Sequence, residues 1–131
     1  MAAVATLERR GQGSPALRAA LVAKLTAPDW QDRLEAAEAE AALGPAADVP
    51  ALIVALRDRN GFVRVAAADA LGATGDRAAL EPLLAASHDD VWSVRAATAR
   101  ALRALGDPRA AARLDELAHD PHHDVKAAAR P

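Results

Sequence analysis

Apolar residues in this chain fall three and four apart within short runs, and a glycine closes each run. After Asn60 the positions are Val63, Ala67, Ala70 and Leu71, the spacing of one buried helix stripe. Asn60 supplies an N-cap, because its side-chain oxygen can accept hydrogen bonds from the first free backbone N–H groups. Gly75 can take positive φ without a Cβ penalty and so ends the helix. Asp76 and the residues after it turn the chain, and a second helix follows with Leu80, Leu83 and Leu84 on one face. Pro82 falls in its first turn, where the missing N–H leaves no bond unmade. The stretch from Asp58 to Ala86 therefore predicts a helical hairpin.

The same hairpin is written again on either side. After it, Val94, Ala97, Ala101, Leu102 and Leu105 form a stripe closed by Gly106. Asp107-Pro108 reads as a cap and first helical residue, with Leu114 and Leu117 facing the core. Before it, Leu34, Ala37, Ala41 and Leu43 run to Gly44, and Val49, Leu52, Ile53 and Leu56 make the second helix. Gly44, Gly75 and Gly106 stand 31 residues apart, and Leu21, Leu52, Leu83 and Leu114 keep that step. A fixed period of this length marks a stack of like units. We expect a single domain, 1–131: a degenerate N-terminal repeat 1–28, repeats 29–57, 58–88 and 89–119, and a C-terminal half repeat 120–131. Ser14-Pro15 starts a helix carrying Leu21, Val22 and Leu25, the residues before Gly13 form a short first helix, and Asp120-Pro121 opens the last one.

Composition narrows the class. Alanine is the commonest residue and aromatics make up 2%, so a core of Ala and Leu suits close helix packing and fits strands poorly. The 16 basic and 18 acidic residues nearly cancel, leaving no global pull toward nucleic acid or anionic membrane. With no cysteine, disulfides and thiolate metal sites are excluded. No run approaches the roughly 18 apolar residues of a membrane span, and Met1 to Arg10 has the wrong order of charge and apolar residues for a secretory signal. A cytoplasmic protein with no membrane partner is expected.

The string Asp-x4-Val-Arg-x-Ala-Ala-x2-Ala-Leu followed by Gly-Asp, to which the units at Asp89, Val94, Arg95, Ala96 and Ala97 and at Asp58, Val63 and Arg64 both correspond closely, resembles the HEAT-like repeat of the phycobilisome-lyase type. The resemblance covers residues 14 to 130. It implies an all-α, right-handed α-solenoid with first helices on the convex side and second helices on the concave side. It also implies that Asp58, Asp89 and Asp120, six residues before Arg64, Arg95 and Lys126, form a ladder that fixes the stacking. We read each acid as capping a helix and pairing with a neighbouring base.

Candidate chemistry is sparse. Gly11-Gln12-Gly13-Ser14 follows no strand and makes a poor phosphate loop. The iron-binding His-Glu pairs of the HEAT-like deoxyhypusine hydroxylases are matched by Leu34-Glu35, Val65-Ala66 and Ala96-Ala97, which lack the histidine. His88 and His119 are one repeat apart and should lie along one edge. His119, His122, His123 and Asp124 have a spacing that could gather a metal, but Pro121 interrupts them and solvated surface is the expectation. No catalytic residue, metal or cofactor is assigned. Trp30 and Trp92 occupy equivalent positions, with Phe62 one residue off, and are expected to anchor junctions between units. Residues 29–48 carry six acids against Arg33, and 94–113 carry five arginines against Asp107. That asymmetry, with the half unit at the C-terminal end, offers self-association.

These readings converge on a non-enzymatic scaffold that binds another protein of unknown identity through its concave helix face. Arg57, Glu81, His88, Arg109, Arg113 and Glu116 project from alanine-rich second helices, and Trp92 adds a rim that suits a contact hot spot. Two alternatives stay open: a bilin-lyase-like accessory protein, and a binder of nucleic-acid backbone through Arg95 to Arg113.

Overall fold

The computed structural model describes residues 14–131. Over these residues the chain forms eight α-helices and three 3-10 turns, with no strand among them. The α-helices are α1 (Pro15–Lys24), α2 (Trp30–Leu43), α3 (Val49–Ala55), α4 (Gly61–Thr74), α5 (Leu80–Ala86), α6 (Trp92–Leu105), α7 (Ala111–Leu117) and α8 (His123–Ala129). The 3-10 turns Gly44–Ala46, Arg77–Ala79 and Pro108–Ala110 precede α3, α5 and α7. The protein is an all-α solenoid in which the long first helices α2, α4 and α6 alternate with short second helices. The short first helix expected before Gly13 lies outside the described residues.

Local chemistry sets most boundaries where the sequence puts them. Ser14 Oγ accepts the Leu17 N–H at 3.0 Å, with Pro15 in the first helical position. Asn60 Oδ1 accepts the N–H groups of Phe62 and Val63 at 2.8 and 3.4 Å. Gly75 and Gly106 end α4 and α6 in the left-handed region, at φ 67° and 63°. Two starts differ from expectation. Asp107-Pro108 opens a 3-10 turn, not α7, which begins only at Ala111. Asp120-Pro121 does not open α8 either; His122 is its cap, with Nδ1 accepting the Asp124 N–H at 3.2 Å. In both cases a tight turn satisfies the aspartate first, and the α-helix begins after it.

The most extensive helix contacts join successive first helices, α2 to α4, α4 to α6 and α6 to α8. The second helices α3, α5 and α7 each pack more on the first helix that follows than on the one before, and neighbouring second helices meet only marginally. The core follows the expected stripe closely. Val63, Ala67, Ala70, Leu71, Val94, Ala97 and Leu102 are fully buried, as are Leu52 and Leu83 from the second helices. Small residues let the first helices approach. A Cβ added at Gly72 would lie 2.9 Å from Ala101 Cα and 3.1 Å from its Cβ. Gly72→Ala gains about 0.5–1 kcal/mol of helix propensity. The obstruction is backbone, however, and overpacking of this kind costs about 1–3 kcal/mol, so the variant is expected to be less stable. A higher urea midpoint than wild type would show that the α4–α6 seam has slack.

One core position is polar. Glu40 sits one step before Leu71 and two before Leu102, and like them it is fully buried. Its Oε2 accepts the Asp48 N–H at 2.7 Å, while Oε1 has no partner among the described residues. In the next two units the equivalent N–H groups, of Ala79 and Ala110, donate to the carbonyls of Asp76 and Asp107 at 3.1 and 3.0 Å. Gly44 explains the difference. Its φ of 55° is paired with ψ of -124°, so its turn runs another way from those at Gly75 and Gly106. Glu40 replaces the carbonyl that this turn does not present.

Burial pushes the Glu40 carboxyl above its ordinary value, and the Asp48 N–H only partly offsets that. The folded protein therefore holds this proton more tightly than the unfolded chain. Its contribution to stability is greatest below the unfolded value of about 4.3 and falls as pH rises through the raised folded value. In Glu40→Gln that decline should disappear from a plot of urea midpoint against pH. Parallel curves for wild type and variant would contradict the assignment.

Candidate functional site

Three arginine–aspartate pairs run along one edge of the stack. Arg33 Nε and Nη2 donate to Asp58 Oδ2 and Oδ1 at 2.8 and 3.1 Å. Arg64 binds Asp89 at 2.8 and 3.2 Å, and Arg95 binds Asp120 at 2.8 and 3.1 Å. The ladder expected from the sequence exists, but its rungs join residues 25 apart, each in consecutive units. The six-residue offset has another meaning. Arg64 Nη1 donates to the Asp58 carbonyl at 2.8 Å, and Arg95 Nη1 to the Asp89 carbonyl at 2.9 Å. Nor do these acids cap helices. Each stands two residues ahead of a cap, where Oδ1 accepts the N–H of Asn60, Val91 or His122 at 2.9 Å.

Electrostatics follow from this geometry. Burial pushes Asp58 upward, but Arg33, the Asn60 N–H and the nearby Arg59 together hold it below the usual carboxylate range. Arg95, opposed by partial burial, holds Asp120 below it as well. With both guanidinium edges and both carboxylate oxygens engaged, the ladder is occupied by the fold and offers no ligand track. Lys126 keeps the arginine position in the last unit.

The short second helices leave space between them. An open groove of about 740 Å³ lies between α1 and α3, lined by Val22, Leu25, Pro28, Ile53 and Val54 with Arg57 and Arg59. A second, of about 750 Å³, lies between α3 and α5, where Ile53, Leu56, Pro82 and Ala85 meet Arg57, Arg59, Glu81 and His88. Arg57 and Arg59 thus stand on the ridge shared by both grooves. Val54, on the first groove, is 68% exposed.

The candidate partner-binding residues do not form one site. Arg57, Glu81 and His88 come together in the second groove. Arg113 is anchored, donating through Nε to Ser87 Oγ at 2.8 Å and through Nη2 to the Ser87 carbonyl at 2.9 Å, with Glu116 at 3.4 Å from Nη1. Arg109 folds back on Asp107 at 2.8 Å and, with its own backbone N–H, holds that carboxyl down to about 2. Trp92 begins a first helix and lies apart from the others. Its ring stacks on His122 with centroids 4.0 Å apart, and His122 stacks on His123 at 4.9 Å. Trp30 stacks on Phe62 at 5.7 Å, so both tryptophans meet an aromatic ring of the next unit.

His88 lines the second groove, and His119 Nδ1 hydrogen-bonds the Asp115 carbonyl at 2.9 Å. Among the described residues no three carboxylate or imidazole side chains gather as a metal would require. Much of the linear charge asymmetry is also taken up inside the fold. Asp29 and Asp48 cap helices, Glu40 is buried, Arg95 is a rung, and Arg109 and Arg113 are anchored. Sequence reasoning missed Arg59, Ile53 and Val54 as surface features. Their signal was a break in period: Val54 stands where the following units have Ala85 and Glu116, and Arg59 where they have Asp90 and Pro121.

No described helix is long and apolar enough to cross a membrane. Comparison with curated proteins finds no match. The family model for HEAT repeats matches residues 18–93 and, overlapping, 49–130. The Arg–Asp ladder, the glycine stops and the alternating long and short helices fall inside those spans, and the chain belongs to the HEAT-repeat family.

Proposed function

We infer that the protein is a non-enzymatic scaffold, resident in the cytoplasm, that binds another protein through the face formed by its second helices. This is the face the resemblance makes concave. The observation that carries the reading is the pair of open grooves between second helices, with apolar floors and charged rims. HEAT repeats are in general non-enzymatic scaffolds, which agrees with it. Arg57, Glu81 and His88 would make the first contacts, Arg109 and Glu116 the outer ones, and Trp92 a separate rim. Arg113 supports α7 against Ser87 and would act through that position.

A photo-crosslinking residue placed at Ala85, in the second groove, tests the face directly. The control places it at Ala73, exposed on first helix α4. A protein captured from Ala85 and not from Ala73 supports the reading; the reverse overturns it. The lyase-type resemblance carries the accessory alternative, which an absorbance change on adding bilin would favour. A gel shift with DNA or RNA, strongest at low salt, would favour backbone binding. A mass that rises with concentration at low salt would make a second copy of the chain the partner.

A further inference from the structure

We propose that the groove between α1 and α3 binds an acidic segment carrying exposed leucine-like side chains, with Arg57 and Arg59 pairing its carboxylates; this rests on the scaffold reading above. What marks this groove is charge left over after the fold has used the rest. Asp58, the carboxylate lining this groove, is held by both nitrogens of Arg33, and Arg33 is consumed in return. Arg57 and Arg59 are exposed and make no ion pair among the described residues. The groove therefore presents two exposed cations, neither in an ion pair among the described residues, above an apolar floor.

The floor decides the class of partner. Val22, Leu25, Ile53 and Val54 offer area to apolar side chains, and none offers a ring for a base to stack on. A helix or strand that alternates apolar and acidic residues satisfies both features at once. The second groove differs, because a carboxylate, Glu81, lines it together with the two arginines. Residues 1–13 of this chain carry Arg9 and Arg10 against Glu8, the wrong sign for the site.

The probe is a random 16-residue peptide library displayed on phage and selected on the full chain at low and physiological salt. Peptides enriched on wild type should be net acidic with apolar residues at helical or alternating spacing. Their affinity should fall roughly tenfold or more in Arg57→Glu/Arg59→Glu, because each rim cation is then replaced by a repelling charge. Arg100→Glu/Arg103→Glu, at two exposed positions of first helix α6, is the matched charge change and should leave affinity unaltered; a circular-dichroism melt checks that each variant is folded. Enriched peptides that are neutral or basic, or that bind the double variant as well as wild type, overturn the proposal. If such peptides are instead lost on changing Glu81 or Glu116, the scaffold reading survives and this groove does not. Failure to enrich any peptide overturns the groove proposal and leaves the scaffold reading to the crosslink at Ala85. Displacement of the peptides by single-stranded oligonucleotide, or self-association abolished by the double variant, assigns the groove to nucleic acid or to a second copy.

Discussion

Leu71→Glu should unfold the domain under conditions in which wild type is fully folded. The substitution copies into α4 the residue that α2 already carries at the equivalent position, Glu40. The environments differ in one donor. Glu40 receives the Asp48 N–H, but the equivalent N–H of Ala79 already donates to the Asp76 carbonyl at 3.1 Å. A carboxyl at position 71 would lose the packing of a fully buried leucine and find no partner for either oxygen. Burying such a group unpaired costs about 4–5 kcal/mol or more. Domains of this size have about 5–15 kcal/mol in total, so this cost together with about 2–5 kcal/mol of lost leucine packing removes most of it. Loss of the cooperative transition in a urea titration is the expected result. A midpoint within experimental error of wild type would mean that the turn at Gly75 can rearrange into the one at Gly44.

Asp58→Ala should be the most damaging change on the ladder. It strands Arg33, whose side chain is 6% exposed, and it removes the acceptor for the Asn60 N–H ahead of α4. Breaking one side of a buried pair costs about 3–5 kcal/mol. Asp58→Asn separates the two roles, because its oxygen can still accept the Asn60 N–H while the charge is gone. Asp69→Ala provides the contrast. Its pair with Arg100 is about half exposed, and such surface pairs contribute little. Thermal melts at neutral pH should rank wild type and Asp69→Ala together, then Asp58→Asn, then Asp58→Ala. The same pair sets an acid limit. Because the folded values of Asp58 and Asp120 lie below the unfolded value of about 3.9, their stability is present above it. It is lost as pH falls through the folded values, and Asp58→Asn should lose less on acidification than wild type.

The architecture was legible because its causes are local and repeated. Helix stripes, the Asn60 cap and the stops at Gly75 and Gly106 each need only a few neighbouring residues, and the 31-residue step repeats the same answer. The ladder was legible as a ladder, but its pairing was not. An offset of six along the chain is visible in a sequence; an offset of 25 across a unit boundary emerges only once the units are stacked. Glu40 was visible as the exception to Leu71 and Leu102. It reads as surface because a lone carboxylate is rarely buried, and the turn that requires it depends on the ψ of Gly44, which no residue name reveals. The grooves were hidden for a related reason. They arise from what second helices fail to touch, and Arg57 and Arg59 matter only after Arg33 and Arg64 have claimed the aspartates beside them.

Repeat proteins are often treated as strings of exchangeable cassettes, and this chain says where the cuts belong. The three rungs share one geometry, so a cassette cut at the ladder presents the same plug and socket at every joint. A cut between Glu40 and Asp48 does not. It would carry the carboxylate into one product and leave the amide that needs it in another, and neither would regain a partner from the adjoining cassette. Duplication, deletion or grafting of units in this protein should therefore succeed at the joints near Asp58, Asp89 and Asp120, and fail inside the turn that Glu40 completes.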